Sequence, residues 1–243
     1  MIIHVYTLCW NEEKMLPFFF KHYDDIADQY FVFDNGSTDQ SLSILDSHPK
    51  VAVEHFETQG GSFIKTALNL FNHFWKRSRG KADWVIVCET DEHLHHPNLR
   101  KYLEDCSAAG TTLVIPTGYN MVSDFFPSSD RPLSEQVKNG RRDFYFDKPQ
   151  IFNPNEIQEI NFYPGRHNAN PSGNVARLNS SEILLLHYKC LGYEYLHSRH
   201  AALKEKLQKV DEANGWGSHY SQDEQKNWRD YSHALANAGK VLD

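Results

Sequence analysis

The chain has 243 residues with 32 acidic and 25 basic side chains, a formal net charge of −7. That length buries a sizeable core in one α/β domain with decoration. The acidic balance and the lack of a basic run exclude an electrostatic footprint for nucleic acid, and no apolar window of about 18 residues offers a membrane span. Met1–Leu8 is apolar but carries no basic leader, so a soluble, unprocessed, cytoplasmic chain is expected. Cys9, Cys88, Cys106 and Cys190 show no close pairing and read as small apolar fillers in a reducing compartment. Histidines cluster at His93, His95, His96 and at His187, His197, His200, and each cluster is a potential ligand source.

Ile2–Leu8 is the first predicted strand, followed by the Asn11-Glu12 turn and a helix in which Pro17 falls early enough to be tolerated. Tyr30–Phe33 is a second strand. It ends in Asp34-Asn35-Gly36-Ser37-Thr38-Asp39, where Asn-Gly marks a tight turn and Ser37 or Thr38 is expected to cap the next helix. Val51–His55 is a third strand, and Phe63–Arg79 an amphipathic helix whose Leu68, Leu70, Phe71, Phe74 and Trp75 belong to the core. The run Trp84–Cys88 reads as a buried strand that stops at three acids, Glu89, Asp91 and Glu92. Carboxylates at the carboxyl end of a central strand face the ligand crevice of an open α/β sheet, and a divalent cation carrying phosphates offsets their repulsion. The plain alternative is a strand meeting solvent. A helix beginning at Pro97-Asn98-Leu99-Arg100 and running to about Cys106, and a fifth strand, Thr112–Pro116, complete five strands alternating with helices, which predicts βαβ units and a mainly parallel sheet.

Gly118–Gly140 reads as a loop, with Lys148–Pro154 and Glu156–Tyr163 as short strands beyond it. Glu182–Leu186 is an apolar strand running into His187-Tyr188-Lys189, and Glu194–Val210 and Ser221–Ala238 are helices. In the first of these, Arg199, Lys204, Lys206 and Lys209 alternate with Leu196, Leu203 and Leu207. This pattern gives two readings: a face packed on the sheet, or peripheral contact with the inner face of a membrane. His93 and His95 share a face of an extended segment, but no third ligand at suitable spacing completes a zinc site.

Four places resemble, in the same order, the family two type of glycosyltransferases with the GT-A fold. They are Asn11-Glu12; Asp34–Asp39, like that family's D-x-G-S-x-D turn; Glu89-Thr90-Asp91-Glu92, like its D-x-D-E metal motif; and His187-Tyr188-Lys189, like its late histidine segment. The likeness is to a compact bacterial-type branch with N-E-x-x-x-L-P and D-x-D-E-F motifs, a G-x-H element (Gly165-Arg166-His167) and a G-x-G-x-H-Y element (Gly215–Tyr220). It implies a Rossmann-like, mainly parallel central sheet flanked by helices. Residues 1–190 would form the transferase domain, with nucleotide binding in residues 1–117 and acceptor binding in residues 118–190, and residues 191–243 would be a helical extension. Two departures stand out: Glu89 replaces the usual Asp, and His93 stands where Phe is common.

The resemblance also implies roles. Asn11, Glu12, Asp34, Asn35 and Asp39 would face the base and ribose of a nucleotide-sugar donor, with Glu89 on the ribose. Asp91 and His187 would hold Mn²⁺ or Mg²⁺, and Arg166 and His167 would meet the diphosphate or the acceptor. The reaction would be an inverting, metal-dependent transfer to a hydroxyl of a glycan or related acceptor in cell-envelope or surface-polysaccharide synthesis. Its base would be Asp124, with Asp130 and Glu135 as competitors, or Glu92, whose other reading is a brace between loops. His167 reads equally as a loop histidine bonded to backbone. The alternatives are a degenerate module that binds glycan or nucleotide, and a nucleotidyltransferase; the acidic turn after the first strand counts against the latter.

Overall fold

β-Branched and aromatic runs alternate with amphipathic segments through the first half of the chain, and the sheet follows from that alternation. The computed structural model describes residues 1–243. Its elements begin β1 (Ile3–Cys9), α1 (Leu16–Tyr23), β2 (Gln29–Asp34), α2 (Ser41–Asp46), β3 (Val51–His55), α3 (Phe63–His73) and β4 (Trp84–Val87). β3, β2, β1 and β4 are adjacent and parallel, with Val5 of β1 opposite both Tyr30 of β2 and Ile86 of β4. All three of these side chains are fully buried.

The second half comprises β5 (Glu92–His95), α4 (Leu99–Ala108), β6 (Leu113–Ser123), α5 (Leu133–Gln136), β7 (Asn139–Arg142), β8 (Ile151–Phe152), β9 (Ile157–Glu159), β10 (Ser172–Gly173) and β11 (Arg177–Leu191). It closes with α6 (Tyr193–Lys206), α7 (Lys209–Ala213), α8 (Glu224–Ala236) and β12 (Gly239–Lys240). β8 is wedged antiparallel between β4 and β6, and β11 runs parallel to β6 and antiparallel to β5. β7 pairs antiparallel with β6 and with β12. In the resulting 10-stranded sheet β1–β4, β6, β11 and β12 point one way, and only β5, β7 and β8 oppose them. The architecture is therefore a mixed α/β fold with a mostly parallel central sheet flanked by helices.

Helices cover both faces. α1 and α4 pack on one through Leu16, Phe19, Tyr23, Leu99 and Leu103, and α3 on the other through Ala67 and Phe71, with Trp75 following. His93, in place of an aromatic, stays in the core: its ring stacks on His22 at 4.5 Å and meets Tyr188 edge-on at 5.2 Å. The four cysteines are free thiols.

Several local expectations are corrected. α2 starts at Ser41 after Gln40, which makes no side-chain cap, because the Ser37 hydroxyl is already used by Asp34 and Asn11. The long amphipathic helix ends at His73 and tightens into a 3₁₀ turn, Phe74–Ser78. The fifth strand does not end at Pro116, and Gly118–Gly140 is not one loop: β6 continues to Ser123, and α5 and β7 follow within it. Proline lacks a ladder donor, and Pro116 is tolerated because the register of β11 shifts there, Ile115 facing Asn179 and Thr117 facing Leu184.

Candidate functional site

The carboxyl ends of β1, β2 and β4 form the floor of a cavity of about 760 Å³. Asn11 adopts a left-handed conformation (φ 52°), which asparagine tolerates better than most residues. Its N–H donates to Ser37 Oγ (2.9 Å), and its Oδ1 accepts from the Thr38 N–H (2.8 Å). Asp34 is fully buried; its carboxylate accepts from the Gly36 N–H (2.8 Å), the Ser37 N–H (3.1 Å) and the Ser37 hydroxyl (2.5 Å). Asp39 accepts from the N–H groups of Ser41 (2.9 Å) and Glu13 (3.1 Å). Of these three expected nucleotide contacts, Asn11 and Asp39 tie the turn after β1 to the turn after β2 and Asp34 braces the latter, whereas Glu12 and Asn35 line the cavity.

Glu89, Asp91 and Glu92 all line the cavity, but their environments differ. Glu92 is 1% exposed and carries two ion pairs, to Lys148 Nζ and to Arg166 Nη2 (3.1 Å), while accepting from the Glu89 N–H (3.0 Å). Burial alone pushes its pKa up; Lys148 and Arg166 override that and hold it well below the usual carboxylate range. A carboxylate so committed braces the loops and is a poor proton acceptor.

Arg166, in the left-handed region at φ 56°, is 1% exposed. It donates to the Val87 carbonyl (2.8 Å) and to Glu89 Oε1 (3.0 Å) as well as to Glu92, and its guanidinium lies over the Phe71 ring. It is thus the internal counter-charge of the acids. His167 Nδ1–H donates to the Tyr145 carbonyl (2.7 Å), as its backbone-bonded reading anticipates, and the ring also lines the cavity.

Asp91 and His187 meet as the motifs suggest, with Oδ2 and Nε2 3.4 Å apart. Asp91 Oδ1 is buried with no hydrogen-bond partner. His187 Nδ1 lies 2.6 Å from Asn120 Oδ1, and its ring stacks on Phe146 with centroids 4.1 Å apart. Phe146 reaches that position because residue 118 is glycine: a Cβ there would stand 2.4 Å from the Phe146 backbone. No group of three or more His, Cys, Asp or Glu converges on one point. The protein thus offers one carboxylate and one imidazole to a cation, and ligand oxygens and water would complete the shell. An orphaned, buried carboxylate oxygen beside an imidazole nitrogen fits a hard divalent ion such as Mn²⁺ or Mg²⁺.

The C-terminal helices form the roof. Arg199 of α6 donates to the carbonyls of Trp10 (3.0 Å) and Asn11 (3.1 Å) and pairs with Glu12, whose pKa is pushed up to about 7 by burial even with Arg199 beside it. Lys206 stands over the Trp10 ring, 4.4 Å from its centroid. Asp211 of α7 accepts from the Ser62 hydroxyl (2.5 Å) and the Phe63 N–H (3.2 Å), tying the roof to the start of α3. Of the four cations whose alternation allowed either a face packed on the sheet or membrane contact, Arg199 and Lys206 turn into the cavity. No helix is long and apolar enough to cross a membrane.

Asp124 is absent from this constellation. It is exposed just past the end of β6, and the extra strand length from Pro116 to Ser123 carries it on the order of 20 Å beyond the expected turn. Asp130 and Glu135 are likewise exposed and outside the cavity. Its carboxylates are Glu12, Glu89, Asp91 and Glu92. Sequence reasoning assigned no role to Lys189, a cavity lysine with no carboxylate partner, whose pKa burial pushes down, nor to Lys148 or Asn120. The only available signal for Lys189 was its strand-alternate spacing from His187.

No family model and no curated protein matches the chain. Among solved structures it is similar to S. aureus TarS 1-349, with a TM-score of 0.49 and 14% identity over 83% of this chain and 64% of that one. The same fragment in complex with UDP-GlcNAc gives 0.46 and 15% over 83% and 65%. Glucosyl-3-phosphoglycerate synthase from Mycobacterium tuberculosis in complex with phosphoglyceric acid gives 0.34 and 17% over 49% and 44%. The chain spans less than two thirds of the length of each.

Proposed function

We propose that the chain is a metal-dependent, inverting glycosyltransferase that moves a sugar from a nucleoside-diphosphate donor to a hydroxyl of a glycan or related acceptor. The resemblance of its motifs points to surface-polysaccharide synthesis as the setting. The observation that carries the reading is the pair Asp91 and His187, with an orphaned carboxylate oxygen, at the end of a parallel sheet and facing a cavity large enough for a nucleotide sugar.

The chain's own residues divide the work. Asn35, Glu12 and Trp10 border the region of the cavity where a nucleoside fits, with Trp10 as a stacking surface. Lys189, Lys206 and Arg199 bring positive charge to a diphosphate. Asp91 and His187 would hold a divalent ion, which when bound would supply Lewis-acid neutralisation of the departing nucleoside diphosphate. Glu89 has half of its side chain open, with one oxygen held by Arg166 and the other left to the cavity. It takes the proton of the acceptor hydroxyl as the hydroxyl oxygen bonds to the anomeric carbon and the bond from that carbon to the nucleoside diphosphate breaks on the opposite side.

The test is thermal melting with a panel of nucleoside diphosphates and Mn²⁺, since ligand at about 100 times its dissociation constant adds roughly 2.7 kcal/mol. A shift with a nucleotide and metal pair that is lost in Asp91→Ala, together with slow metal-dependent hydrolysis of the matching nucleotide sugar, is expected. Inertness across the panel would overturn the reading.

A further inference from the structure

Asn120 and Asp143 belong to none of the motifs, yet they decide which nitrogen of His187 carries its proton. Asn120 on β6 faces His187 on β11 in register, and Asp143 follows directly on β7, the strand paired with β6 on its other edge. Asn120 Nδ2 donates to Asp143 Oδ2 at 2.6 Å. A carboxylate has no hydrogen to give, so the end of the amide facing it must be the NH₂. The amide oxygen is thereby turned toward His187 Nδ1, 2.6 Å away, and an amide oxygen only accepts. The proton of the neutral imidazole therefore sits on Nδ1, and the Nε2 lone pair points at Asp91 Oδ2, 3.4 Å away. Two acceptors face one another there, an arrangement that a shared cation relieves.

Asp143 also sets the ring plane. Its Oδ1 accepts from the Tyr145 N–H (2.9 Å), capping the turn whose Phe146 lies at 21° to the imidazole. One carboxylate thus governs both the tautomer and the orientation of the histidine.

We propose that Asn120 and Asp143 are positioning residues that hold His187 in its Nδ1–H form, keeping Nε2 as a lone-pair donor for a divalent cation shared with Asp91. The cation rests on the function proposed above; the tautomer is a property of the metal-free chain. Groups that orient a metal-binding imidazole in this way are typically worth about 10–100-fold in metal affinity.

The test uses the metal-free full chain labelled with ¹⁵N-histidine, at a pH where the imidazole is neutral, with His187 assigned by loss of its signals in His187→Gln. Long-range ¹H–¹⁵N correlations are expected to show Nδ1 protonated. Asp143→Asn keeps the size of the side chain and an acceptor for Tyr145 but lets the Asn120 amide reverse, and Asn120→Leu removes the acceptor. Both are expected to move His187 toward Nε2–H and to weaken binding of Mn²⁺ alone, followed by electron paramagnetic resonance, about 10–100-fold. Nε2–H in the wild type, or a tautomer unchanged in both variants, overturns the proposal. Wild-type Mn²⁺ affinity in His187→Ala would instead sink the metal reading, and the tautomer would still decide the relay.

Discussion

Asp91 Oδ2 and His187 Nε2 face each other at 3.4 Å while Asp91 Oδ1 is buried and bonded to nothing. They come from opposite edges of one strand pairing: His187 of β11 lies opposite Glu92 of β5, and the Tyr188 N–H donates to the Asp91 carbonyl at 2.8 Å. Backbone hydrogen bonds therefore fix the spacing before any ligand arrives, an arrangement that suits the proposed cation, and the unbonded Oδ1 leaves a buried acceptor unsatisfied without one.

Asp91→Asn separates these two consequences. The variant's amide can donate to His187 Nε2, which removes the clash of acceptors but also removes the charge that would hold a cation. Its metal-free stability is expected to equal or exceed that of the wild type. The added stabilisation by Mn²⁺ with a nucleoside diphosphate, about 2.7 kcal/mol at 100 times the dissociation constant, is expected to vanish. Paired denaturation curves with and without Mn²⁺ check both halves; a variant that is less stable and still responds to metal contradicts them.

Glu92 makes the opposite case, an acid whose charge is already balanced. Lys148 and Arg166 are, like Glu92, nearly inaccessible. Lys148→Met leaves a buried carboxylate with one counter-charge, and breaking a buried pair from one side typically costs about 3–5 kcal/mol. The Glu92→Gln/Lys148→Met double variant is expected to recover much of that loss, because it removes the uncompensated charge. Urea denaturation of the two single variants and the double one measures the coupling.

The frame of the site was legible where chemistry is local. Apolar runs bounded by polar turns placed β1 to β4, and the short spacing of Glu89, Asp91 and Glu92 marked the floor. The family resemblance gave those acids separate roles, with Glu92 as base or brace, but the groups that make Glu92 a brace were not legible, because they are partners distant in the chain. Arg166 and Lys148 reach Glu92 from 74 and 56 residues away, and Arg199 reaches Glu12 from 187. Asp124 was misplaced for a different reason: Pro116 looks like a strand end, and only the register shift in the partner strand reveals that β6 continues. Asn120 had the weakest signal, since an asparagine in a stretch read as loop attracts no attention until it is seen beside a histidine.

Acid stability tests the burial of charged groups elsewhere. Burial holds the imidazoles of His22 and His200 down to about 4, against 6.5 when unfolded. Their contribution to stability is therefore complete above 6.5 and is lost as pH falls toward 4. Glu12 has the reverse sign: burial raises it to about 7 from 4.5, so its contribution is complete below 4.5 and is lost as pH rises through 7. Between 4.5 and 6.5 the wild type is expected to weaken on acidification, with Glu12 opposing the histidines. Glu12→Gln is expected to steepen that decline by up to about 1.4 kcal/mol per pH unit, and His22→Gln to flatten it by as much. The slope of unfolding free energy against pH is the readout, since each substitution also shifts the absolute value.

The base is the remaining assignment, and the cavity offers two tests of it. Glu89, 53% exposed at its side chain with one oxygen on Arg166, is read from its openness as the proton acceptor and from the motif as a ribose contact. If it is the base, Glu89→Gln keeps the hydrogen bond to Arg166 and the donor affinity but lowers kcat by about 10²–10⁴-fold, the usual weight of general-base catalysis. If it is the ribose contact, donor affinity falls and kcat follows less steeply. Asp124→Ala is expected to leave turnover unchanged, because that side chain lies in solvent beyond the end of β6. Single-turnover transfer rates with saturating donor, set beside the donor's dissociation constant, separate the two roles. Loss of transfer in Asp124→Ala with Glu89→Gln still active would return the base to the far end of the strand.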